Sequence, residues 1–142
     1  MFFLKDLPSQ EMVSTYAVQF PELVPEKTQN ALQMLRQASV LMRNLDRYFA
    51  SHNVSQTQFL ILIILHRDPT KTQHLASEIA VKMDISKPVL STAIKTLLKR
   101  GLIAYSEKQS DGRAKPLNIT PAGVIVLRTL LPEYFKILQA DI

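Results

Sequence analysis

Leu97-Leu98-Lys99-Arg100-Gly101-Leu102-Ile103, then Ser110-Asp111-Gly112-Arg113, then Ile119-Thr120-Pro121-Ala122-Gly123 carry all three glycines of a 142-residue chain. At ordinary usage a chain of this length would hold about ten. Left-handed backbone is therefore expected at these three places and almost nowhere else. Gly101 closes a periodic stretch where a helix must stop and a strand begin. Asp111-Gly112 is a tight hairpin signal. Gly123 sits just inside the start of another helix, behind Pro121. Helix, strand, tight turn, strand, helix is the order of a winged helix. A helix followed by a basic hairpin is a device for gripping duplex DNA.

Upstream of this stretch, Asp84-Ile85-Ser86-Lys87-Pro88 reads as a helix start. Ser86 is the N-cap, Ile85 and Leu90 form a hydrophobic staple, and Pro88 is tolerated because first-turn amides have no helical partner. Leu90, Ala93, Ile94 and Leu97 then make one apolar stripe, while Lys87, Ser91, Thr92, Lys95 and Lys99 point elsewhere. A short helix over about 77–83, with a start that could lie as early as Thr72, precedes the turn. The pair fits a helix-turn-helix whose second helix enters a major groove. Downstream, 102–106 and 115–119 read as two strands. Pro116 has no amide to donate and is expected on a free edge. Thr120 should cap the last helix, whose apolar face is Val124, Leu127, Leu131, Tyr134 and Leu138. Pro132 should kink or split it.

The first half has a different character. Residues 1–25 form an arm broken by Pro8, Pro21 and Pro25, with a short helix over Ser9–Phe20 that puts Met12, Val13, Tyr16, Ala17 and Phe20 on one side. A long helix follows over roughly 26–51, where Leu32, Leu35, Ala38, Met42, Leu45 and Phe49 recur every three or four residues. It spans ~39 Å, too long for a small domain to cover by itself, so a second copy of the chain is the expected cover. Ser55 and Gln58 have capping-box spacing and open a helix to about His66 that is apolar nearly all round, hence buried.

Composition narrows the function classes. The net charge is +5, and all of the excess lies between Lys71 and Thr120, which hold nine basic and four acidic residues. A basic module beside a neutral one points to a polyanion partner for the first. There is no cysteine, which excludes disulfides, thiolate metal sites and cysteine redox switching. The longest apolar run, Phe59 to Leu65, is seven residues, against about 20 for a membrane span. The first residues lack a secretory signal's basic and apolar regions. A cytoplasmic protein with no membrane partner is expected. His52, His66 and His74 lack metal-ligand spacing and read as surface or hinge residues. No nucleophile and base signature, no Gly-rich phosphate loop and no paired catalytic carboxylates are present, so neither an enzyme nor a cofactor is expected.

Ile79-Ala80, Ile85-Ser86-Lys87-Pro88, the helix ending in Gly101-Leu102, Asp111-Gly112-Arg113 and Leu117-Asn118-Ile119-Thr120-Pro121-Ala122-Gly123 together closely resemble the MarR family of bacterial transcription regulators. The family pattern is Leu-Ala, a short turn, Ser-Lys-Pro, a recognition helix ending in Gly-Leu, Asp-x-Arg, then Leu-Thr-x-x-Gly. Order and spacing agree over about 77–123. The resemblance implies a mainly α fold with a small β-wing, a winged helix-turn-helix whose long terminal helices form a homodimer interface. It also implies double-stranded DNA as partner and, in many members, a small aromatic acid as effector. Thr92 stands where the family often has Arg, and the chain stops soon after the helix that begins at Thr120.

These readings assign 1–52 to an N-terminal arm and dimerisation helix, 53–120 to the winged helix-turn-helix DNA-binding region, and 121–142 to a C-terminal dimerisation helix, in one integrated domain. DNA contacts are expected from Ser86, Lys87, Pro88, Ser91, Thr92, Lys95, Lys108, Asp111, Arg113 and Lys115. Arg113 would enter a narrow minor groove with Asp111 orienting it. Lys108 and Lys115 would meet phosphate, and Ser91, Thr92 and Lys95 base edges or phosphates. Ser86 is a cap first. Tyr48, Phe49, His52 and Phe59 could line an effector pocket, although plain core packing is the stronger reading of them. The expected function is a ligand-responsive repressor binding a palindromic operator as a homodimer. The alternatives are a winged-helix protein-interaction module and a ligand-blind architectural DNA binder.

Overall fold

A computed structural model describes residues 1–106 and 115–141. Lys108, Asp111, Gly112 and Arg113 lie outside the described residues. The elements are α1 (Gln10–Gln19), α2 (Pro25–Ser51), α3 (Gln56–His66), α4 (Ala76–Val81), α5 (Lys87–Lys99), β1 (Ile103–Tyr105), β2 (Leu117–Ile119) and α6 (Pro121–Gln139). The fold is a winged helix-turn-helix, mainly α with one two-stranded antiparallel sheet. The chain forms two compact units, Met1–Leu45 with the chain from Ile137 onward, and Asp46–Lys136.

In the first unit, Ser9 caps α1 by accepting from the Met12 amide. Only Val13 of α1 is buried, whereas Met12, Tyr16 and Phe20 are each more than half exposed. The expected one-sided apolar packing of that helix is thus confined to one residue within the chain. Pro25 opens α2 one residue before the expected start, its fixed φ suiting a first helical position. The Phe2 amide donates to Ser39 Oγ at 3.0 Å, so the arm docks on α2. Phe3 and Leu4 stay exposed.

The second unit holds most of the buried apolar residues. Asn53 ends the turn after α2 with φ +56°, while the Val54 amide donates to the Phe49 carbonyl at 3.0 Å. Left-handed backbone is therefore not limited to glycine here; Asn takes it at a helix end. Ser55 and Gln58 form the capping box that opens α3. Phe59, Ile61, Leu62, Ile64 and Leu65 of α3 are all buried. α4 starts at Ala76 because Glu78 reaches back to accept from the Leu75 amide at 3.0 Å, and it ends at Val81, two residues short of expectation. Ser86 caps α5, and Leu90, Ala93, Ile94 and Leu97 are its buried stripe. Gly101 has φ +71°, and the amides of Gly101 and Leu102 donate to the carbonyls of Leu98 and Leu97. That is a Schellman stop.

The wing strands are shorter than the pattern suggests, pairing Ile103 with Ile119, Ala104 with Asn118 and Tyr105 with Leu117. Pro116 is not on a free edge. Its carbonyl accepts from the Ser106 amide at 2.8 Å, so it faces β1 just before β2 begins. The ladder there loses the return bond that an amide would have made. The other edge of β2 is closed by His74, whose amide and carbonyl both bond to Leu117, at 3.0 and 2.7 Å.

Thr120 caps α6 by accepting from the Gly123 amide at 3.1 Å, and its hydroxyl donates to the Gly101 carbonyl at 2.6 Å. Gly123 does not have positive φ. Its reason is space, since a Cβ there would lie 2.1 Å from the Leu102 carbonyl oxygen. Pro132 does not split α6, which runs on to Gln139. Its buried line is Gly123, Leu127 and Leu130, one residue off the expected Leu131, and Leu138 is exposed. The Tyr48 hydroxyl donates to the Leu130 carbonyl at 2.8 Å, which ties the end of α2 to this line.

Candidate nucleic-acid interface

The buried stripe of α5 fixes what the opposite face presents. With about 3.6 residues per turn, Pro88, Thr92, Lys95 and Lys99 fall on one line away from the core, with Ser91 beside them, and all five are exposed. Lys87 is exposed on the flank. Ser86 is exposed too, but its Oγ is engaged as the cap, accepting from the Val89 amide at 3.4 Å. Among the described residues the one ion pair is Lys71 with Glu78. The ammonium groups of Lys87, Lys95, Lys99 and Lys115 therefore have no acidic partner there. α5 thus presents a basic outer face with small hydroxyls between its charges.

Two exposed members of this helix were missed as site residues. Lys99 lies four residues past Lys95, a spacing readable in the sequence. Val89 is 48% exposed, beside Thr92 at i, i+3. Arg100 is turned to another task. Its guanidinium donates to the Asn53 carbonyl at 2.9 Å and to Gln58 Oε1 at 3.3 Å, which braces the end of α5 against the α2–α3 turn. At the wing, Lys115 is exposed just before β2. Lys108, Asp111 and Arg113 fall outside the described residues. Ser106 Oγ accepts from Gln73 Nε2 at 3.1 Å, which anchors the wing base to the segment before α4.

His74 sits at that base and is no surface residue, being 1% exposed. Lys82 Nζ lies 3.2 Å from its Nε2. An ammonium only donates, so Nε2 accepts and the ring proton is on Nδ1. Nδ1 is buried without a partner among the described residues. Burial, then the Lys82 and Lys71 charges, pushes the imidazole pKa down, with Glu78 opposing. The Glu78 carboxyl is itself held low, first by its hydrogen bond from Lys71. Because the folded imidazole titrates below the ordinary value of about 6.5, the unfolded chain takes up the proton first as pH falls. The stabilisation is complete above about pH 6.5 and is lost as pH drops through the folded value. His74→Leu should flatten the fall in melting temperature between about pH 7 and 5, by at most one proton's slope, about 1.4 kcal/mol per pH unit. Equal pH profiles for parent and variant would remove His74 from the account.

Residues 54–115 match the profile of the MarR family. Over those residues the chain carries a MarR-family domain. Over 137 residues it is 21% identical to the HTH-type transcriptional repressor YetL of Bacillus subtilis (strain 168), covering 96% of this chain and 81% of that one. Its fold superposes on AbsC, a MarR family transcriptional regulator from Streptomyces coelicolor, with TM-score 0.72 at 19% identity, covering 82% of this chain and 78% of that chain. It also superposes on a mutant of S. aureus MepR bound to an oligodeoxyribonucleotide, with TM-score 0.61 at 16% identity over 79% of each chain.

The four residues read as an effector pocket do come together, with Phe49 and Phe59 in the core and Tyr48 and His52 beside them. Phe49 and Phe59 are 1% and 0% exposed and meet edge to face at 4.7 Å. Tyr134 closes over both, at 6.0 and 4.5 Å. Tyr48 joins through Phe49 at 5.8 Å, and the exposed His52 packs on Tyr48 at 4.7 Å. Burial followed by the Glu133 charge raises the Tyr48 phenol pKa. Among the described residues no three His, Cys, Asp or Glu are placed to hold a metal ion, and no helix is long and apolar enough to cross a membrane.

Proposed function

We propose that this chain is a DNA-binding transcription repressor that grips a palindromic operator as a homodimer, with α5 in the major groove and the basic wing beside it. The observation that carries the reading is the exposed line Pro88, Thr92, Lys95 and Lys99 on α5, whose lysines have no acidic partner among the described residues. The repressor YetL and the MepR complex with an oligodeoxyribonucleotide support it by likeness. The dimer is supported by apolar groups left uncovered in the first unit: Met34 and Leu35 on α2 are 68% and 46% exposed, and Met12 and Tyr16 on α1 are exposed as well. Tyr134 fills the aromatic cluster, so the reading places no effector there.

Gel-shift titration against the duplex immediately upstream of the chain's own gene tests this. The expected result is a complex with two chains per duplex that weakens steeply with salt, because phosphate contacts release counterions. Lys95→Ala should weaken binding about uniformly across sequences, and Lys99→Ala should do the same and lower the salt slope by about one. Both side chains are exposed, so the melting temperature should hold. Parent-like affinity in both variants, or binding indifferent to salt, would favour a protein-interaction module instead.

A further inference from the structure

The exposed face of α5 is as informative for what it lacks. From Ser86 to Lys99 there is no Arg, Asn, Gln, Asp or Glu. Two-pronged reading of adenine needs Asn or Gln, and acceptance from cytosine needs Asp or Glu. Guanine is left with a flexible lysine and single hydroxyl contacts from Ser91 and Thr92. Besides the lysines and serines, the groups that project are Pro88, Val89 and Thr92. Pro88 and Thr92 are neighbours at i, i+4, and Val89 and Thr92 at i, i+3, so a pyrrolidine ring, an isopropyl group and a methyl adjoin on one surface. Val89 is 48% exposed, and a β-branched residue is no favourite of a helix exterior. In the major groove only thymine offers an apolar group, its C5 methyl.

Resting on the DNA-binding reading above, we infer that Pro88, Val89 and Thr92 form an apolar patch that reads thymine C5 methyl groups in the operator half-site. Lys95 and Lys99, one and two turns further on, supply affinity through phosphates and little base discrimination. The operator half-site is accordingly chosen by where its thymine methyls stand, and the Thr92 hydroxyl plays the smaller part.

Deoxyuridine tests this at the level of one methyl group. It pairs as thymidine does and lacks the C5 methyl. Thymidines of the bound upstream duplex are replaced one at a time, and affinity is measured for the parent, Thr92→Ser and Val89→Ala. One or two positions in each half-site should raise the parent's Kd roughly fourfold, the worth of one buried methyl group. At the position read by Thr92, Thr92→Ser should bind the thymine duplex less tightly and respond little to the replacement. Uniform indifference to deoxyuridine in the parent would overturn the inference while leaving salt-sensitive DNA binding intact. Equal sensitivity in parent and both variants would overturn it too, by assigning the methyl contact elsewhere. Absence of any salt-sensitive DNA binding is a distinct result, and both readings fall with it.

Discussion

Phe59→Ala should cost about 3–5 kcal/mol of folding stability, the range for truncating a fully buried aromatic ring. The ring has no exposed surface. It meets Phe49 edge to face at 4.7 Å with planes 78° apart, and Tyr134 at 4.5 Å. Those contacts add to the apolar area that the ring hides, because aromatic edges and faces attract beyond mere burial. Its helix, α3, buries five of its residues, so no flexible neighbour is at hand to collapse into the void. Urea unfolding followed by circular dichroism measures the loss. Phe59→Leu refills most of the volume and should retain much of the stability. A loss below about 1 kcal/mol in the alanine variant would mean that Phe59 lines an open site, as an effector pocket requires, and not a packed core.

Gly123→Ala should be nearly as damaging, by about 3 kcal/mol or more, because overpacking here meets backbone. An alanine Cβ would stand 2.1 Å from the Leu102 carbonyl oxygen and 2.7 Å from Ile119 Cγ1. That carbonyl cannot retreat freely, since it accepts from the Thr120 amide at 3.1 Å. Either α6 moves off the wing base or the cap at Thr120 opens. The melting temperature should fall by roughly 10 °C. Gly101→Ala is the control. Gly101 has φ +71° and nothing within 4 Å of a built Cβ, so its cost is backbone strain alone, about 1–2 kcal/mol. If the two alanines proved equally mild, the close approach of α6 to Leu102 would not exist in solution.

The two glycines also show where reading the chain reaches and where it stops. Gly101 was legible because a helix stop is written within six residues: the amides of Gly101 and Leu102 fold back on Leu98 and Leu97. The caps at Ser55, Ser86 and Thr120 and the buried stripe of α5 were legible for the same reason. So was the exposed face that carries Ser91, Thr92, Lys95 and Lys99. Each is set by neighbours one to four positions away along the chain, and sequence by itself determines such contacts.

What the tertiary structure decided is what lies across from a residue. Gly123 looked like a backbone requirement and is a space requirement, imposed by a carbonyl 21 positions earlier. His74 looked like a surface residue until β2 bonded to it from Leu117. Pro116 looked free-edged until Ser106 was placed opposite. Arg100, to which the sequence assigned no role, is held by Asn53, 47 positions away. The aromatic quartet was readable as a pocket or a core, and the fold brings Tyr134 from the far end of the chain onto two of its members, Phe49 and Phe59. Burial and hydrogen-bond satisfaction depend on partners that the chain brings together only on folding. A local pattern states which groups need cover, and only the packed fold supplies the group that covers them.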